Sequence, residues 1–389
     1  MLTLIKNAEV VAPVKLGKQD VLICGEKILA IESLIEINSP YVALVDASDK
    51  IMVPGFVDSL VHITGGGGEG GFTTRTPEVN LTDLTTAGIT TLVAALGTDS
   101  ISRSLNELLV KAKELNAYGL SCYIYSGSYH LPLKTITGDL QSDIVLIDEC
   151  IGVGEVAIAD HRGSQPHFRE LARIASDARV GGMLSGKSGI VSIHMGPGNS
   201  MFSLIDEVVE KTDIPISQFY PTHINRNKVL FNAGIDFTKR GGYIDLTTSS
   251  NSMAFELGEI KCSKGLKEFL DSGGDIQQIT FSSDGHASLP EFDEAGNLIS
   301  LEVGNEGSLF REVRDCVLHE SIPLEVAIQA ITSTPADVLK LKNKGRLQAN
   351  NDADLVLLEK QSLHIESVMS KGQWLVRNQT PLIKGTFES

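Results

Sequence analysis

The sequence is poor in cysteine and in aromatic residues, contains one tryptophan, and offers no long apolar run. Its five cysteines, Cys24, Cys122, Cys150, Cys262 and Cys316, are scattered, odd in number and form no CxxC pair. That excludes a disulfide scaffold and a dithiol redox motif, and fits thiols kept reduced in cytoplasm. No stretch reaches the length of about 18 apolar residues that a membrane-spanning helix needs. The opening MLTLIKNAEVV lacks the apolar core and cleavage site of a secretory leader, so a cytoplasmic location is expected. Basic charge is short as well: 33 Lys and Arg stand against 49 Asp and Glu, a net charge of −16. A field of that sign argues against nucleic acid or an anionic membrane as partner. Neither a GxGxxG turn nor a GxxxxGK[ST] phosphate loop occurs, which removes the main support for an open dinucleotide-binding sheet.

What the chain does have is glycine, 37 residues of it, often beside short apolar runs. This suits the tight turns of an α/β protein. Residues 1–54 read as short strands broken by Gly, Pro and Asp, and strand texture returns over 341–389. We expect these two segments to pair as one small discontinuous β domain, because domain termini tend to lie close together. Between them, residues 55–340 alternate apolar strands (ITTLVAAL, GEVAIAD, GIVSIHM) with amphipathic stretches such as ISRSLNELLVKAKELNAYG. Near-continuous apolar strands separated by helices indicate a parallel sheet covered by helices. Seven or eight such units predict a closed (β/α)8 TIM barrel.

In a barrel, reactive groups gather where strands end. His62 follows PGFVDSLV, Glu155 opens EVAIAD, His194 closes VSI, His223 closes QFYPT and Asp284 closes ITFSS. Imidazoles and carboxylates from separate strands can converge on one or two hydrolytic metal ions. Arg162 in DHR and Arg226 in HINRN suit a carboxylate ligand, although either could equally be structural. Glu69, in the run GGGGEG, would meet a ligand ammonium. Tyr129 closes SCYIYSGSY, as an oxyanion donor or as an ordinary strand-end tyrosine.

The stretches PGFVDSLVHITGGGGEGGFTTRTPEV, LGTDSISR, GSYHLPLKTITG, ADHRG, VSIHMG, PTHINRN, SSDG and KGTFE span almost the whole chain. In them the sequence resembles the bacterial isoaspartyl dipeptidases of the amidohydrolase superfamily. The resemblance implies cleavage of the β-aspartyl bond of small zwitterionic dipeptides by metal-activated water, with two zinc ions, in a homo-oligomer. It implies that His62, Glu155, His194, His223 and Asp284 bind metal, and that Asp284 also shuttles the proton. By the same likeness Glu69 recognises the substrate's amino group and Tyr129 polarises the scissile carbonyl. Thr98, Arg162, Arg226 and Ser288 would hold the charged ends of the substrate.

Two positions depart from that pattern. Leu60 stands where the first histidine of an HxH pair belongs, and Glu155 stands where a carboxylated lysine is usual. Residues 60 and 62 share one side of a strand, so Leu60 faces the metal space without a lone pair. Glutamate supplies a bridging carboxylate without carbon dioxide but on a shorter arm. His161 and His286 are the nearest replacements in sequence. Glu155, His194 and His223 alone could hold one zinc with a position left for water. Two other functions stay open: an amidohydrolase of another small amide or N-acyl amino acid, and a catalytically impaired paralogue that retains ligand binding.

Overall fold

The computed structural model describes residues 2–293 and 297–388. The chain begins as sheet. β1 (Leu2–Val11) pairs antiparallel with β2 (Lys15–Cys24), which pairs with β3 (Lys27–Glu32). β4 (Val42–Asp46) and β5 (Lys50–Pro54) run parallel to β1. One face of this sheet buries Ile5, Val10, Val21, Ile23 and Met52.

Eight parallel barrel strands follow. They are β6 (Phe56–Val61), β7 (Ile89–Ala94), β8 (Ser121–Ser126), β9 (Cys150–Ile158), β10 (Ile190–Met195), β11 (Phe219–Thr222), β12 (Ile244–Thr247) and β13 (Ile279–Ser282). In all but β8 every residue is buried, which explains their unbroken apolar texture: helices cover one face and the barrel interior the other. The helices include Leu105–Ala117, Phe168–Ser185 and Ser203–Lys211, close to the amphipathic stretches expected. No helix among the described residues is long and apolar enough to cross a membrane.

β6 to β11 form one continuous ladder in chain order, and β12 and β13 pair separately. Backbone bonds from Asp284 N to the Leu60 carbonyl (3.1 Å) and from His62 N to the Gly285 carbonyl (2.8 Å) join β13 to β6. Between β11 and β12, side chains do the joining. The Asn225 amide donates to the Thr247 carbonyl and accepts from the Thr247 N–H (3.0 and 2.9 Å), as a peptide of a neighbouring strand would. Asp245 on β12 accepts from Thr222 on β11 (2.7 Å) and from Thr280 and Ser282 on β13 (2.6 and 2.5 Å).

The hairpin β14 (Ser288–Phe292) and β15 (Leu298–Val303) stands beside the barrel mouth. The chain then returns to the first sheet. β16 (Leu355–Glu359) lies antiparallel to β5 with Leu355 opposite Pro54, and β17 (Ile365–Ser370), β18 (Gln373–Arg377) and β19 (Thr380–Pro381) complete it. The fold is therefore a (β/α)8 barrel carrying a discontinuous β sheet. We propose 55–340 as the barrel unit and 1–54 with 341–389 as the sheet unit.

The closing seam carries a buried acid. Asp58 Oδ1 accepts the Leu60 and Ser283 N–H groups, while Oδ2 has no partner. Burial outweighs these hydrogen bonds and pushes Asp58 up to about 8. The folded state therefore keeps a proton that the unfolded chain loses. Its contribution to stability is complete below about pH 4 and declines as the pH rises toward about 8. Asp58→Asn, which cannot ionise, is expected to narrow the gap between thermal midpoints at about pH 5 and about pH 8 by several degrees. An unchanged gap would remove Asp58 from the explanation.

Candidate active site

Five side chains converge at the barrel mouth. His62, just past β6, has Nδ1 3.0 Å from the Ala95 carbonyl. Nδ1 thus carries a hydrogen, and Nε2 faces inward. Nε2 lies 3.1 Å from Asp284 Oδ1 and 3.4 Å from Glu155 Oε1. His194 closes β10 with Nδ1 3.4 Å from Glu155 Oε2. His223 follows β11 in a left-handed conformation, φ +63°. Its Nδ1 is 2.5 Å from the Thr247 hydroxyl, and its Nε2 is 3.5 Å from Glu155 Oε2.

Glu155 is not at a strand end, as expected from the sequence, but inside β9. There Val153 faces Val191 while Val156 faces Ile193, so β9 carries one extra residue at this point. This bulge turns a mid-strand carboxylate toward the histidines. The ligand atoms of Glu155, His194 and His223 all lie within 4.8 Å of one another.

Hydrogen bonding leaves this cluster incomplete. Both Glu155 oxygens, His223 Nε2 and Asp284 Oδ1 are buried without a hydrogen-bond partner, although they lie near one another. Buried lone pairs without donors are costly and uncommon. A divalent cation satisfies such a set at once, and imidazole with carboxylate suits zinc and its neighbours. The residues present therefore fit a metal ion.

Their charges are set by the same crowding. Burial opposes the charge on His62, but Asp284 and Glu155 outweigh it and push His62 up to about 10. His223 is driven down to about 4 by burial and by the nearby charges of Arg226 and His194. Burial works to raise Glu155, yet the imidazoles of His194, His223 and His62 crowded around it hold its carboxyl well below the ordinary carboxylate range. A proton and a metal compete for the same His62 nitrogen.

Above the cluster is a cavity of about 380 Å³, lined among others by His62, Glu69, Tyr129, Arg226 and Asp284. Glu69 Oε1 accepts from Thr98 (2.9 Å) and Arg162 (3.2 Å), and Oε2 accepts from Ser288 (2.6 Å) and the Gly68 N–H (3.0 Å). Although Glu69 is largely buried, these bonds hold its carboxyl below the ordinary range. The loops after β6 and β13 are locked together here. Gly66 N donates to the His286 carbonyl (2.9 Å), and a Cβ on Gly66 would stand 2.8 Å from Ala287 Cα and Ser288 N. Arg162 is engaged by Asp160, with Nε to Oδ1 at 3.1 Å and Nη2 to Oδ2 at 2.8 Å. Arg226 Nε is buried without a partner. The Tyr129 hydroxyl lies 2.7 Å from His194 Nδ1, three residues beyond the end of β8.

The structure thus gathers all eleven residues named from the sequence: His62, Glu69, Thr98, Tyr129, Arg162, His194, Arg226, Asp284 and Ser288 on the cavity wall, with Glu155 and His223 beneath. The proposed replacements fall outside the cluster. His286 Nδ1 contacts the Pro77 carbonyl (3.0 Å) and its Nε2 faces Asp83 and Glu306, while His161 packs edge-on against Phe292. Leu60 is buried with Val93, Tyr125, Ile151 and Tyr220 in an apolar layer of the barrel interior. Two contributors had no place in the sequence reading. Phe292, on the hairpin, presents its ring 5.9 Å from the Arg162 guanidinium, and a lone phenylalanine gives no such signal in sequence. Asp160, within ADHRG, is buried against His194 and Arg162, and its position two residues before the arginine was the available clue.

Residues 233–375 match the amidohydrolase family. The structure of a β-aspartyl dipeptidase from Fervidobacterium islandicum AW-1, in complex with a β-Asp-Leu dipeptide, aligns with a TM-score of 0.93 at 43% identity, covering 100% of both chains. A second structure of the dipeptidase from that organism gives 0.91 and 41%, again over 100% of both. A deacetylase from Agrobacterium fabrum is 22% identical over 93% of this chain and 85% of its own. With full-length identity at this level and the amidohydrolase cluster in place, the chain belongs to the β-aspartyl dipeptidase family of the amidohydrolases.

Proposed function

We propose that the protein is a zinc-dependent dipeptidase that hydrolyses the β-aspartyl bond of small zwitterionic isoaspartyl dipeptides. The observation that carries this reading is the convergence of an acid, Glu69, and a cation with an unused donor, Arg226, on one cavity above the buried Glu155–His194–His223 set. The relative with 43% identity binds a ligand of that charge pattern.

Glu155, His194 and His223 would hold one ion, and His62 with Asp284 offer a second position that Leu60 leaves one ligand short. A bound divalent ion supplies Lewis acidity, which acidifies water and polarises an amide carbonyl. The protein's own groups do the rest. Glu69 receives the substrate ammonium, steadied by Thr98 and Ser288, and Arg226 and Arg162 face its carboxylates. Tyr129 donates its O–H to the carbonyl oxygen as that atom becomes negative. Burial raises this phenol well above its ordinary value, so it remains a donor. Asp284 accepts a proton from the attacking water at its carboxylate and delivers it to the departing nitrogen.

Five free thiols support a reducing, cytoplasmic setting. Assembly into a homo-oligomer belongs to the same reading, as the family resemblance implies. The second reading, an amidohydrolase of N-acyl amino acids, draws on the Agrobacterium deacetylase and on Leu60.

Zinc-loaded protein is expected to release leucine from β-Asp-Leu. Release from N-acetyl-leucine without release from the dipeptide would transfer the assignment to the second reading. Glu69→Gln is expected to lower kcat/KM for β-Asp-Leu about 10–100-fold, the worth of one charge-assisted hydrogen bond, with unchanged circular dichroism. Leu60→His is expected to raise the ion content per chain from about one toward two, read by elemental analysis. An unchanged ratio would place residue 60 outside the metal shell.

A further inference from the structure

His194 Nε2 is approached from three sides. Asp160 Oδ2 lies at 3.0 Å, and the Nη2 atoms of Arg162 and Arg226 each lie at 3.4 Å. These neighbours make opposite demands. A carboxylate requires Nε2 to carry a hydrogen and donate it, whereas a guanidinium N–H requires Nε2 to keep its lone pair and accept. A neutral imidazole has one proton, so the outcome at Nε2 decides the state of Nδ1, the nitrogen that faces Glu155. If Nε2 accepts from an arginine, Nδ1 carries the hydrogen and cannot bind a cation. If Nε2 donates, Nδ1 keeps its lone pair, which meets the Tyr129 hydroxyl at 2.7 Å and is available to a cation.

We propose that Asp160 is a positioning residue that fixes the His194 tautomer, holding the proton on Nε2 against two competing arginines so that Nδ1 stays available as a ligand. The inference rests on the reading of Glu155, His194 and His223 as a cation site. Asp160 is built for this task. It is buried, and its Oδ1 is taken by the backbone N–H and Nε of Arg162 (2.8 and 3.1 Å). Its Oδ2 is shared between Arg162 Nη2 (2.8 Å) and His194. The same carboxylate thereby engages Arg162 in competition with the imidazole. A metal-binding histidine whose other nitrogen donates to a carboxylate is a recurrent arrangement, and loss of that partner typically costs about 10–100-fold in metal affinity.

The isosteric variant Asp160→Asn separates this role from simple packing. The asparagine oxygen is expected to stay with the two Arg162 donors at the Oδ1 position, which turns the amide NH2 toward Nε2. That nitrogen must then accept, and the tautomer reverses. Nitrogen-15 NMR of histidine-labelled, metal-free protein at about pH 8.5, above the ordinary histidine range, reads the tautomer directly. The expected results are an Nε2–H tautomer for His194 in the wild type and Nδ1–H in Asp160→Asn. Zinc affinity, measured by competition with a chromogenic chelator, should fall about 10–100-fold in the variant. An Nδ1–H tautomer in the wild type would overturn the proposal without any variant. So would an unchanged tautomer, or zinc affinity within about threefold of wild type, in folded Asp160→Asn. If the wild type held no zinc, the cation site itself would fail, while the NMR comparison would still judge Asp160.

Discussion

A buried carboxylate with no hydrogen-bond donor of its own is the constraint around which the barrel mouth is organised. Glu155 sits among three imidazoles, and neither of its oxygens meets proper hydrogen-bond geometry. Such a group is tolerable only beside positive charge. Each neighbour is held in place by a bond made away from the cluster: His62 to the Ala95 carbonyl, His194 to Asp160, His223 to Thr247. The remaining ring nitrogen of each imidazole is thereby turned inward toward Glu155, an arrangement that suits a cation.

The barrel wall is adapted to that end. The β11–β12 seam uses Asn225 and Asp245 in place of a backbone ladder, and His223 stands beside it, between Thr222 and Asn225 in sequence. Leaving the ladder early frees the chain to adopt the left-handed turn that swings His223 inward. On β9 the extra residue beside Glu155 has the same effect by another route. Regular pairing gives way at the points where a side chain must leave the expected face.

These departures mark the limit of what the sequence made legible. Unbroken apolar strands and amphipathic helices announced the barrel, because a parallel sheet covered on both faces has no polar alternation to hide. Strand-end placement announced His62, His194, His223 and Asp284. Glu155 was found as a residue but misplaced along its strand, since a bulge shifts register without a distinctive composition. Asp160 escaped notice because His194 is brought to it by folding from another strand, and its closeness to Arg162 in ADHRG does not by itself signal a role. Leu60 was read as facing inward, and it does lie within the barrel, in an apolar layer shared with Tyr125 and Tyr220.

The contact at Gly66 has a consequence for selectivity. With the loop after β6 pressed on the backbone of Ala287 and Ser288, the Glu69 carboxylate and the Asp284 carboxylate belong to one rigid span. On the proposed reading, such a span would act as a ruler between the place where an amine docks and the place where a bond breaks. An α-linked aspartyl peptide is one methylene shorter over that interval than its β-linked isomer. Docked by its amine, it would bring its amide up short of the reacting groups.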